Sequence, residues 1–148
     1  MKKLTIIFLL ILAALVGADR SGLDRWVAGP EPALETADSD AVLARAFENR
    51  RNDLQVRGEG QVVRVLPDDN DGSRHQRFIL RLDSGQTLLV AHNIDLAPRI
   101  PDLQRGDRIE FFGEYEWTDK GGVIHWTHHD PDGDHVTGWL RHEGRTYQ

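Results

Sequence analysis

A chain of 148 residues without cysteine excludes disulfides and zinc–thiolate sites, so a transition-metal site here must use His, Asp or Glu. Lys and Arg number 18 against 24 Asp and Glu, a formal charge of −6 that weighs against general nucleic-acid binding by repelling phosphate backbones. The length suits one domain able to bury its own core.

Taken in chain order, Lys2 and Lys3 precede an apolar run from Leu4 to Val16 that closes on Val16-Gly17-Ala18. A basic start, a short apolar run and small residues at the end describe a signal peptide over 1–18. The run falls short of the roughly 20 residues that a spanning helix needs. The reading is therefore a mature protein in the periplasm or outside the cell, with no membrane span after cleavage. An uncleaved segment anchored in the inner membrane is the alternative. Residues 19–40, with Gly29-Pro30-Glu31-Pro32, read as a flexible tether. Residues 41–57 read as a helix and lead-in, capped by Ser39 or Asp40, with Val42, Leu43, Ala46 and Phe47 on one stripe.

From Gly58 the period changes to alternation. A first strand runs to Pro67, and the Asp68–Ser73 turn follows. The next strand puts Phe78, Leu80 and Leu82 on one face and Arg77 and Arg81 on the other. A third places Leu88, Val90, His92 and Ile94 together. Pro98 and Pro101 bar a long helix from the connector over 95–107. A fourth strand groups Ile109, Phe111, Tyr115 and Trp117, with Gly113 as a bend, and a fifth begins near Gly122. The last eleven residues form a hairpin turning at Glu143–Gly144. The expected fold is mainly β: residues 58–148 form a small five-stranded antiparallel barrel of the OB type with a C-terminal hairpin, preceded by one helix. Phe78, Leu80, Val90, Ile109 and Phe111 are its expected core.

The segments "RHQRF", "AHNIDLAPR", "GEYEW" and "GGVIHWTHHDP" resemble those of a bacterial family of short secreted proteins defined as a domain of unknown function. The resemblance covers about residues 58–148. It implies a secreted β-rich domain and carries no activity with it.

The segment "IHWTHHDPDGDH", 124–135, packs four of the seven histidines and three aspartates together. Residues four apart on a straight strand lie roughly 13 Å apart, so His125 and His129 need partners on neighbouring strands, which lie about 5 Å away. One reading is a cross-strand site of His75, His92 and His125 with Asp130, holding a divalent transition metal such as zinc, beside a ligand face that adds Trp126 and Arg77. The other is a set of imidazoles bonded to backbone carbonyls and to the aspartates of the following turn. His125 is expected on the face of His75 or His92, Trp126 on the opposite one, and His129 and His135 around a turn at Asp130–Gly133. The Asp68–Gly72 and Asp130–Asp134 runs lack the closing Glu of a calcium loop and read as tight turns. Arg74, Arg77 and Arg81 lie on or beside the second strand, with Arg99 and Arg105 in the connector and Trp117 and Trp126 nearby. They read either as an oligonucleotide or anionic-ligand face of the OB type or, by default, as an ordinary solvated strand face. No serine sits in a nucleophile-elbow context. Three functions follow: a module binding an unknown small ligand, an envelope component or a metal; a metal-dependent hydrolase of the nuclease or phosphodiesterase type; and a structural or interaction domain of the envelope.

Overall fold

The computed structural model describes residues 33–148, and the expected signal peptide and residues 19–32 of the expected tether lie outside them. The helix α1 spans Ala33–Glu48, so it begins inside the stretch read as tether, and Ser39 and Asp40 are internal to it rather than its cap. Asp40 does something else: its buried carboxylate accepts the Ser84 backbone N–H at 2.7 Å and ties the helix to a turn of the sheet. Leu43 and Ala46 are buried against that sheet. The helix ends with Arg50 at φ 49° and the Arg51 N–H bonded back to the Ala46 carbonyl at 2.9 Å. That is the Schellman pattern, made here without glycine.

The first strand, β1 (Leu54–Asp69), begins four residues before Gly58 and is long enough to serve two neighbours. Its first half pairs with β4 (Arg108–Glu116) and its second half with β2 (His75–Arg81). The change of partner falls at Gln61, which pairs with both Arg108 and Arg81, and the ladder to β2 shifts register between Val62 and Arg64. Earlier in the strand Gly58 lets Phe111 pack close, since a Cβ there would lie 2.6 Å from its ring. β2 then pairs with β3 (Thr87–Asn93), and β5 (Val123–His125) wedges between β3 and β4. The five strands β1-β2-β3-β5-β4 thus close on one another through the β1–β4 pairing.

The expectation of an all-antiparallel ring is corrected at one place: β3 and β5 run parallel. The reason is arithmetic, because directions cannot alternate around a ring with an odd number of members. Two further strands, β6 (Trp139–His142) and β7 (Arg145–Tyr147), form a hairpin on β4 and bring the sheet to seven strands. One edge of β4 is consequently shared, with residues 114–116 against β5 and 110–112 against β6.

Alternation decides the core. Phe78, Leu80, Val90, Ile109 and Phe111 are all at 0 % exposure, with Leu88, Tyr115, Ile124 and Leu140 beside them. Burial of each such side chain contributes about 1.5–3 kcal/mol. The proline-bearing connector is held in part by a buried side chain: the Gln76 amide donates to the Ile100 carbonyl and accepts the Ile100 N–H, both at 2.9 Å. Among the described residues no helix is long and apolar enough to cross a membrane.

Candidate functional site

The histidines proposed to share one site are divided by the sheet. Gln76 pairs with His92 and His75 with Asn93, so His75 and His92 face opposite sides of the sheet. His92 belongs to the core side. It is fully buried, its Nε2–H donates to the Pro98 carbonyl at 3.0 Å, and its Nδ1 accepts the Thr127 hydroxyl at 2.8 Å. Burial, against the opposing pull of that carbonyl, lowers its pKa to about 4, so the ring is neutral and fully used.

His75 lies on the outer side with its Nδ1 bonded to the Ser73 carbonyl at 2.8 Å. His125 lies on the outer side too, since its neighbour Ile124 pairs with the buried Val90. β3 stands between them, which puts two strand spacings, about 10 Å, between their strands. Asp130 is committed elsewhere, accepting the N–H groups of Asp132, Asp134 and His135 at 2.8–3.1 Å. Burial pushes its carboxyl up, but those donors and the nearby His135 outweigh that and hold it below the ordinary value. Arg77 is likewise occupied, donating through Nε and Nη2 to the Pro67 carbonyl. The His75–His92–His125–Asp130 quartet therefore does not converge.

A different set does. His125 stands directly opposite Glu114 in the β4–β5 ladder, and Glu116 is the next outward residue along β4. One ligand atom from each of Glu114, Glu116 and His125 lies within 4.8 Å of the other two. The His125 Nε2 is 3.3 Å from Glu114 Oε1 and 3.9 Å from Glu116 Oε1. It is buried and makes no hydrogen bond to either. Burial holds the His125 ring below its ordinary pKa although both carboxylates pull the other way, so the ring is neutral near pH 7. A neutral nitrogen with two carboxylates around it, and no bond to them, is an arrangement that a cation satisfies.

The histidine-rich segment reaches this corner by breaking the strand. Trp126 has φ 51°, in the left-handed region that a bulky residue seldom adopts. Alternation stops there, so Trp126 does not take the face opposite His125 as expected. Its ring lies 6.4 Å from that of His125, 5.3 Å from His128, and stacks on His135 at 4.1 Å with 8° between planes. Thr127 turns inward to His92.

The turn forms as read from Asp130 to Gly133, with the Gly133 N–H on the Asp130 carbonyl at 3.1 Å and Gly133 at φ 74°. His129 bonds the Thr137 hydroxyl, and the Gly138 N–H closes the loop on the His128 carbonyl at 3.1 Å. Gly138 passes so close beneath Trp126 that a Cβ would sit 1.9 Å from the Trp126 carbonyl oxygen.

His135, read as a turn residue, has its N–H on Asp130 but sends its ring to β4, where Nε2 is 2.6 Å from Glu114 Oε2. Its Nδ1 faces the Val136 carbonyl at 3.0 Å. Burial depresses the His135 pKa, but these two acceptors and the charges of Glu114 and Asp130 outweigh it, and the net direction is upward.

Glu114 and Glu116 escaped the sequence reading. The signal was present in Glu114-Tyr115-Glu116: alternation around a buried tyrosine puts both carboxylates on one outer face.

Residues 31–148 match the model of a family described as "Protein of unknown function (DUF3465)". The match takes in the helix as well as the segments that carried the resemblance. No curated protein matches the chain.

Proposed function

We propose that this chain, which belongs to the DUF3465 family, is an exported binding module that holds a divalent transition ion at the Glu114–Glu116–His125 corner of an OB-type barrel. The order β1-β2-β3-β5-β4, its closure on β1 and the single parallel β3–β5 pair support the OB reading. Residues 1–18 support export to the periplasm or the exterior.

One observation carries the metal reading: the buried, unbonded His125 Nε2 stands 3.3 Å and 3.9 Å from two carboxylate oxygens. Tetrahedral ligands at zinc bond lengths of about 2.0–2.1 Å are about 3.4 Å apart, so small side-chain adjustments bring the three atoms onto one ion. Without an ion, Glu114 is bonded to His135 and Glu116 Oε1 accepts the Asp53 N–H at 3.3 Å, while the His125 Nε2 is left without a partner. Zinc suits the imidazole, and manganese suits the carboxylate majority.

The test is calorimetric titration of tag-free protein with zinc and manganese chlorides. One ion per chain is expected, with binding lost in His125→Ala and weakened at least tenfold in Glu116→Gln. Absence of binding to the wild-type protein overturns the reading.

The metal-dependent hydrolase is the second reading, favoured by the partial exposure of the corner: the His125 and Glu116 side chains are 33 % and 32 % exposed. Three protein ligands with an accessible fourth position are the arrangement in which a metal activates water. Metal-dependent turnover of a nitrophenyl phosphodiester by the wild type, absent in His125→Ala, would establish it.

A further inference from the structure

We infer that His135 is a positioning residue of this corner, holding the Glu114 carboxylate so that one oxygen is aimed at His125 and at the ion between them. The inference rests on the metal-binding reading above. A free Glu side chain has three rotatable bonds, and fixing such a chain costs conformational entropy. Here that ordering is already done. The two oxygens of Glu114 are divided: Oε2 accepts from His135 Nε2 at 2.6 Å, while Oε1 stands 3.3 Å from His125 Nε2. An outer partner of this kind orients a ligating carboxylate and makes it available through its other oxygen.

His135 is itself held from three directions. Its ring is stacked on Trp126 at 4.1 Å, its Nδ1 is on the Val136 carbonyl, and its backbone N–H is on Asp130 Oδ2 at 2.8 Å. Asp130 in turn closes the Pro131–Asp134 turn by accepting from Asp132 and Asp134. The histidine- and aspartate-rich segment is thus a chain of supports: Asp130 shapes the loop, the loop delivers His135, and His135 fixes Glu114. His125 is the one histidine of the segment that ligates.

The experiment compares zinc affinity across variants of the full, tag-free chain, with cobalt(II) absorption as a second readout of ligand geometry. His135→Ala should weaken zinc binding ten- to a hundredfold, the loss typical of removing such a partner, and shift the visible cobalt band. His135→Gln, whose amide nitrogen lies near the place of Nε2 and can donate to Glu114, should recover most of the affinity and the wild-type band. His129→Ala, in the same loop but bonded to Thr137, should bind like the wild type.

If the wild type binds zinc and His135→Ala binds equally well, this inference falls and the metal reading stands. If the wild type binds none, both fall. If His135→Ala and His135→Gln are equally weak and their metal-free proteins melt well below the wild type, His135 is only a loop scaffold and the inference is overturned.

Discussion

His92 and His125 sit on neighbouring strands of one small sheet and make opposite use of the same side chain. His92 points into the core, and both of its nitrogens are bonded, to Thr127 and to the Pro98 carbonyl. His125 points outward, and its buried Nε2 has two carboxylates near it and a hydrogen bond to neither. Burial lowers the pKa of both rings, so pKa direction does not separate them. Saturation does. A histidine whose donors and acceptors are all matched is part of the scaffold, and one left open beside oxygen ligands has capacity for a guest.

The largest effect expected from this contrast is on stability at His92. His92→Ala opens a cavity and orphans two buried groups, and should cost about 3–5 kcal/mol in denaturant unfolding while leaving zinc stoichiometry unchanged in the folded protein. A cost below about 1 kcal/mol would dissolve the distinction between the two rings.

The next effect is acid sensitivity from the same ring. With a folded pKa near 4 against 6.5 in the unfolded chain, protons bind the unfolded state preferentially between those values. Stability is therefore intact above about pH 6.5 and falls as the pH drops toward 4, by about 3 kcal/mol from this group. His92→Gln should flatten that part of the unfolding curve relative to the wild type.

On the other side of the comparison, His125→Ala should change metal-free stability by less than about 1 kcal/mol, as an outward, partly exposed ring does. Paired with complete loss of zinc binding, that result would separate site from scaffold in one variant. The smallest effect belongs to His129→Ala, which should stay within about 0.5 kcal/mol in unfolding and leave zinc affinity unchanged.

How far these rings were readable follows from the range of each signal. Period-2 alternation marked Phe78, Leu80, Val90, Ile109 and Phe111 as core because it depends only on a strand's own residues. It also placed His92 on the side of Leu88 and Val90. The turn at Asp130–Gly133 was readable because Asp, Pro and Gly act on their own backbone. The Trp126 kink carried no such mark, since nothing local asks a tryptophan for positive φ; the surrounding packing imposes it. The paired glutamates of β4 did carry a local mark, since a two-residue spacing puts two carboxylates on one face, but nothing local says that His125 stands across from them.

By itself the sequence determined the strands, the faces of their residues, the turn chemistry and the absence of thiolate ligands, all of which are set within a few residues along the chain. Only the tertiary structure decided which faces meet. The β5 segment slots between β3 and β4, runs parallel to one and antiparallel to the other, and in doing so sets His125 across from Glu114 instead of beside His75. That choice rests on ring closure by an odd number of strands and on a register between residues 11 positions apart in sequence, joined by a turn whose glycines pack against Thr87 and Tyr115. The loop over 126–138 adds His135 from a further ten residues along, by a fold-back that no repeating pattern encodes. A local period can say which side a residue faces; only the closed sheet selects its neighbour.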